Sequence, residues 1–409
     1  MLKKQIQKLI QKETVRQQTG LVMIPSENYA SMDVLSPMGT PLSNKYSEGY
    51  PGKRYYTGNQ IIDQIETACQ ELSLKVFGLS NKKWHANVQP HSGSSANIAA
   101  FSALLKPGDK ILAMDLGSGG HLSHGHKVNL SSQIYKFAYY TVNPKSGKIN
   151  YNELARIAKR EKPKMIICGY TAYTQKIHFT KMAQIAKKNK AYLLADIAHI
   201  IGLIIAGVHP SPFPYADVVT STTHKTLAGP RGALIICKKK LAKYIDRAVF
   251  PGMQGGPLEH VIAAKAIALT EALKPKFKKT QIQTVKNAQT LAKELKKHNI
   301  NLVADGTENH IVLLDCRNLN ISGRDGSDIL AEAEIYTNAN MIPFDPASPF
   351  NPSGIRLGTP ALSTRGMGEK EMKIIAGWIS DILKNPNDKK LRKYIKSQVH
   401  KLTDKFPIY

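Results

Sequence analysis

The sequence predicts an α/β protein built on a large, mostly parallel sheet, followed by a smaller α+β unit. Two observations lead there. Short apolar runs of strand length recur at residues 110–114, 164–168, 191–195, 217–220 and 232–237, and helical patterns at 151–161 and 181–189 separate several of them. Such alternation is how parallel strands are joined. After Pro257 the texture changes to long helical stretches at 258–273 and 278–297, an apolar run at 311–315, and helices near 325–334 and 369–383. Earlier, residues 61–77 repeat at helical spacing, and a turn at His91–Ser94 opens a second helix over 94–105. The expected organisation is an N-terminal helical segment over 1–25, a large domain over 26–276 and a small domain over 277–409.

A chain of 409 residues, 42% hydrophobic and 21% charged, can bury a full core and is neither disordered nor fibrous. Its 57 basic and 30 acidic residues give a net charge of +27. The lysines lie in short dispersed runs, such as Lys238-Lys239-Lys240, without interleaved aromatics. That pattern describes solvated faces, so no nucleic-acid partner is expected, although a basic field attracts polyanions. Cys69, Cys168, Cys237 and Cys316 contain no CxxC pair, which suggests neither a zinc ribbon nor a disulfide framework. The start, MLKKQIQKLIQKE, lacks the apolar core of a secretory signal, and the apolar stretch 200–208 is too short to cross a bilayer. A reducing cytoplasm and no membrane association are expected.

Three segments carry chemistry. In ADVVTSTTHKTLAGPRGALIIC, Lys225 stands in a bend between two strand-like runs. Most lysines are surface charges, but one pinned by strands beside hydroxyls can be desolvated and lose its proton, as an imine-forming nucleophile must. In KAYLLADIAHIIG an apolar strand ends at Asp196, with His199 on the outgoing turn. Asp196 there is either a helix N-cap or a carboxylate held against a pyridinium nitrogen. Ligands in open α/β sheets bind at the strands' carboxyl ends. PHSGSSAN, residues 90–97, offers backbone amides and the Ser94 hydroxyl as an anion cradle, or simply caps a helix. His121, His124 and His126 have no acidic neighbour and no zinc-helix spacing, so no metal is expected and one imidazole is better used stacked on a planar cofactor.

These segments, with SEN at 26–28, NKYSEGYPGKRYY at 44–56, GGHLSHG at 119–125, PGMQGGP at 251–257 and SGIRLGTPA at 353–361, together resemble the serine hydroxymethyltransferase family. The motifs run in order from about Leu21 to Leu383. The resemblance implies the fold-type I, aspartate aminotransferase-like architecture with a seven-stranded large domain. It implies transfer of one carbon between serine and glycine with tetrahydrofolate, on pyridoxal 5'-phosphate bound covalently to Lys225. A folate-independent β-hydroxy amino acid aldolase is the alternative.

Carried over by position, the resemblance gives Asp196 to the pyridine nitrogen, His199 to the ring hydroxyl and His121 to the ring face. Gly93 and Ser94 match phosphate contacts, joined across a homodimer interface by Gly255 and Gly256, with the choice between dimer and tetramer open. Thr171, Thr222 and His224 complete the cofactor and catalytic set. Arg356 matches the group that grips the substrate carboxylate, where an arginine between glycines would otherwise be a surface charge. Ser26, Tyr46 and Tyr56 match substrate-site residues, the tyrosines coming from the neighbouring subunit and Tyr46 also meeting the cofactor, and Glu48 matches the acid–base group. Leu116, Gly119, Gly120, Leu122 and Asn340 match folate contacts. Ser118 and Ala339 depart from the family pattern beside them.

Overall fold

The computed structural model describes residues 1–409 and contains two compact units, Ala30–Ile282 and the pair of segments Met1–Tyr29 with Gln283–Tyr409. In the first, seven strands form one sheet: β1 (Trp84–Asn87), β2 (Lys110–Met114), β3 (Lys136–Tyr140), β4 (Met165–Cys168), β5 (Tyr192–Asp196), β6 (Val218–Thr222) and β7 (Ala233–Lys238). They lie in the order β1-β7-β6-β5-β4-β2-β3, and only β7 runs against its neighbours. Every residue of β4 and of β6 is buried. Strands covered on both faces read as continuous apolar runs, which is why the sequence reveals the middle of this sheet.

Helices supply that cover. The helix Gly93–Leu104 packs Ala96, Ala99, Ala100 and Phe101 into a cluster with Ile111, Ile167, Leu194 and Ile235. The pairing of Cys168 with Ala195 and of Asp196 with Thr220 brings the carboxyl ends of β4, β5 and β6 level. Their outgoing loops therefore emerge along one edge.

The second unit holds an antiparallel sheet of β8 (Asn301–Leu302), β9 (Ile311–Asp315), β10 (Asn338–Asn340) and β11 (Gly354–Gly358), ordered β8-β9-β11-β10. Leu291, Leu295, Val312, Ile355, Leu357, Ile375 and Ile379 form its core. The N-terminal residues, set apart in the sequence expectation, group here with the C-terminal ones. Leu21–Val22 pairs in parallel with Ile335–Tyr336, and Leu21 and Met23 are wholly buried in this core. The division after Ile282 falls inside the continuous helix Pro275–Lys297, where composition changes little. All four cysteines are free and buried, and no helix is long and apolar enough to cross a membrane.

Candidate active site

The carboxyl end of β5 presents Asp196, whose side chain is 11% exposed. Its Oδ2 accepts from Asn97 Nδ2 at 2.9 Å and sits 3.1 Å from His124 Nε2, while Oδ1 accepts from the Ala198 amide at 3.0 Å. Burial pushes this carboxyl up, but the His124 and Asn97 hydrogen bonds and electrostatic attraction from the His124 and His121 side chains outweigh it and hold it far below the usual carboxylate range. Asp196 is therefore ionised at neutral pH.

Asn97 is itself fixed. Thr220 Oγ1 donates to its Oδ1 at 2.7 Å, which leaves both amide protons facing outward, one to Asp196 and the other to Ser123 Oγ at 2.9 Å. Ser123 lies 2.7 Å from His121 Nδ1, and its backbone N–H donates to the same nitrogen at 3.1 Å. An Nδ1 that accepts a backbone proton places His121's own proton on Nε2. Thus Thr220, Asn97, Asp196, Ser123, His121 and His124 form one hydrogen-bonded set.

Between β6 and β7 the chain bends through Thr223, His224 and Lys225. Lys225 is 8% exposed. The bend is tied to the Asp196–His199 turn, because Thr226 Oγ1 donates to the His199 carbonyl at 3.0 Å and accepts from the Gly202 amide at 3.0 Å. Thr223 Oγ1 closes the bend on the Pro230 carbonyl at 2.6 Å. Burial lowers His224 to about 3, helped by the charges of Arg231 and Lys225, so it is a neutral imidazole.

The helix Gly93–Leu104 begins beside this bend. Ser92 and Ser95 cap each other's amides in a capping box, and the first-turn Gly93 and Ser94 amides lack acceptors within the helix. A Cβ on Gly93 would lie 2.7 Å from Thr222 Cγ2, so a larger residue would force the turn off β6. Close by in sequence to His121, Gly119 and Gly120 pack tightly enough that a Cβ on Gly120 would lie 2.2 Å from the Met114 carbonyl oxygen. Leu122 is exposed and Leu116 half-buried.

A second cluster gathers on the hairpin Gly49–Tyr50 and Lys53–Arg54. The Tyr46 and Tyr56 rings lie 5.0 Å apart, and the Glu48 charge raises the Tyr56 phenol. A Cβ on Gly255 would come within 3.1 Å of Glu48 Oε1, and one on Gly256 within 3.3 Å of Tyr46. PGMQGGP thus abuts Tyr46 and Glu48 in one chain. Behind them Arg54 donates to the Ser47 and Gly49 carbonyls and pairs with Glu66 at 2.7 Å and Asp63 at 2.9 Å.

The sequence profile of serine hydroxymethyltransferases matches residues 1–379. Serine hydroxymethyltransferases of Nostoc sp. and Microcystis aeruginosa are each 50% identical over 402 residues, covering 98% of this chain and 93% of their own. The chain belongs to the serine hydroxymethyltransferase family. It has that family's fold-type I architecture, and the family works with pyridoxal phosphate and tetrahydrofolate. The cofactor fits these residues: a buried anion at 196, a buried amine at 225 and a glycine-walled amide cradle suit its ring nitrogen, aldehyde and phosphate.

In the other unit this serine hydroxymethyltransferase-family chain carries Arg356 at the middle of β11. The arginine is 6% exposed, not the surface charge that its glycine neighbours allow. Its Nε donates to Asn338 Oδ1 at 3.1 Å, and burial lowers it to about 10. Asn340 lies on the same strand as Asn338, β10, paired with Gly354. Ser26 follows a segment fixed by the Gly358 amide on the Met23 carbonyl at 2.7 Å. Sequence reasoning missed Asn97, His124 and Asn338 as partners of Asp196 and Arg356. Asn97 stood in the quoted PHSGSSAN segment and Asn338 directly before Ala339, yet neither position says what its amide will face.

Proposed function

We infer that this chain interconverts L-serine and glycine, passing the one-carbon unit to tetrahydrofolate and giving 5,10-methylenetetrahydrofolate. The observation that carries the residue assignments is the buried, ionised Asp196 beside a bend that buries Lys225. When bound, pyridoxal phosphate supplies an aldehyde for the amine of Lys225 or substrate and a ring that draws electrons from the bonds at Cα. Asp196 keeps a proton on the ring nitrogen, and Asn97 and His124 keep Asp196 ionised. His121 covers the ring face with its tautomer set by Ser123, and His199 serves the ring hydroxyl.

Gly93 and Ser94 bind the phosphate, with Thr171, Thr222 and neutral His224 around the cofactor. Arg356, oriented by Asn338, grips the substrate carboxylate by two parallel hydrogen bonds and so selects which Cα bond stands across the ring. Glu48 moves the proton of the serine hydroxyl, with Tyr56 and Ser26 positioning the substrate. Leu116, Gly119, Gly120, Leu122 and Asn340 meet the folate. Gly255 and Gly256 reach a neighbouring protomer's phosphate, and Tyr46 and Tyr56 its substrate site, so the working form is a homodimer with shared sites. Family membership favours the folate-dependent reaction over the folate-independent aldolase.

The test is spectroscopic and kinetic. Lys225→Ala loses the visible absorbance of the holoenzyme. Glu48→Gln keeps that absorbance and loses serine cleavage by roughly 100-fold or more. A protein indifferent to pyridoxal phosphate overturns the assignment of Lys225, and full turnover in Glu48→Gln removes Glu48 from the reaction.

A further inference from the structure

Lys265 lies in the helix Glu259–Ala272 and is 1% exposed. A lysine is rarely so buried unless its ammonium is fully satisfied. Here Nζ donates to the carbonyls of Val88 and Ala233 at 2.7 Å each and of Pro90 at 3.2 Å. Three protons meet three acceptors.

The acceptors come from three places: the residue after β1, the turn that runs into Ser92 and Gly93, and the first residue of β7. Glu66, Glu259 and Cys69 face the ammonium. Burial lowers it to about 8 while those three groups raise it, so it is mostly charged at neutral pH. The charge reaches the same turn, because His91 is lowered by burial and by Lys265. A Cβ on Gly232 would lie 2.6 Å from Lys265 Cε and 3.1 Å from Val261, so the chain entering β7 passes directly over the lysine stem. Gln254 adds a second brace, accepting from the His91 amide at 3.1 Å and donating to the Gln89 carbonyl at 3.0 Å.

We propose that Lys265 is a positioning residue for the cofactor phosphate: its ammonium draws the Val88, Pro90 and Ala233 carbonyls to one point and fixes the turn that presents the Gly93 and Ser94 amides. The inference rests on Gly93 and Ser94 being the phosphate anchor. Three converging carbonyl dipoles repel one another without a shared cation, and the turn they shape would open.

The experiment titrates the full-length apoenzyme with pyridoxal phosphate and, separately, with pyridoxal, which lacks the phosphate. Lys265→Met, similar in length but without donors, is expected to weaken pyridoxal phosphate by about tenfold or more and pyridoxal by less than about threefold. Gly232→Ala, which presses on the lysine stem, should lower the preference in the same direction and decides the matter if Lys265→Met does not fold. Equal losses for both compounds, or no loss, overturn the inference. Ser94→Pro, which removes both the amide proton and the hydroxyl at the start of the helix, runs alongside as the control. An unchanged preference in that variant overturns the anchor assignment itself, whereas a lowered preference there with Lys265→Met unchanged overturns only the role of the lysine.

Discussion

Asp196 owes its acidity to partners drawn from distant points of the chain, and their removal has a calculable direction. Its lowered pKa contributes stability that is present above the ordinary carboxylate range and is lost as pH falls through the folded value. Asn97→Ala removes one donor and leaves Thr220 without its acceptor. We expect a loss of about 1–3 kcal/mol in stability, and acid loss of the holoenzyme's visible absorbance at a higher pH than in the parent protein. Glu259 behaves oppositely. Burial raises it to about 7, against the Ser47 hydrogen bond, with Glu66, Arg54 and Asp63 as charged neighbours and Lys265 on the same helix. A raised carboxyl favours the folded state below its ordinary value and loses that contribution as pH rises toward about 7. Glu259→Gln should therefore flatten the decline in melting temperature between pH 5 and 8, an effect of a few kcal/mol at most. Lys225, Asp196 and Arg356 were legible because an unusual residue stood at a strand end or inside a long motif. Asn97 and His124 were not, since amides and imidazoles are common and their meaning depends on residues 99 and 72 positions away.

Among elements, the hairpin that carries Tyr46, Glu48 and Tyr56 is held from behind by ions. Arg54, with its side chain 4% exposed, binds Glu66, whose side chain is wholly buried. Arg54→Met would strand that carboxylate, and breaking one half of a buried pair costs about 3–5 kcal/mol. A drop of that size in chemical denaturation is expected, with a parallel loss of serine turnover as the Ser47 and Gly49 carbonyls lose their donor. The strands showed unequally in the sequence. Central β4, β5, β6 and β7 announce themselves by apolar runs. β1 is only Trp-His-Ala-Asn, and β3, Lys-Phe-Ala-Tyr-Tyr, is an edge strand whose first four residues are at least partly exposed. A four-residue strand with polar members and a half-wet edge strand carry too little hydrophobic contrast to be told from loops.

For the molecule as a whole, local pattern says little about which segments pack together. Leu21 is buried at 0% exposure among residues from the far end of the chain. Leu21→Ala is expected to cost about 2–5 kcal/mol, read as a lowered melting temperature, much more than a substitution at exposed Leu9 in the preceding helix. The expected N-terminal helical segment says nothing of what lies against the residues that follow the helix, because the pairing of Leu21 with Ile335 is non-local. That pairing also sets a timetable for biosynthesis. The second strand of the pair lies 314 residues after the first by the registers Leu21 with Ile335 and Val22 with Tyr336, so at roughly 5–20 residues per second the early strand waits on the order of 15–60 s for its mate to leave the ribosome. Throughout that interval two greasy side chains, Leu21 and Met23, remain open to chaperones and proteases.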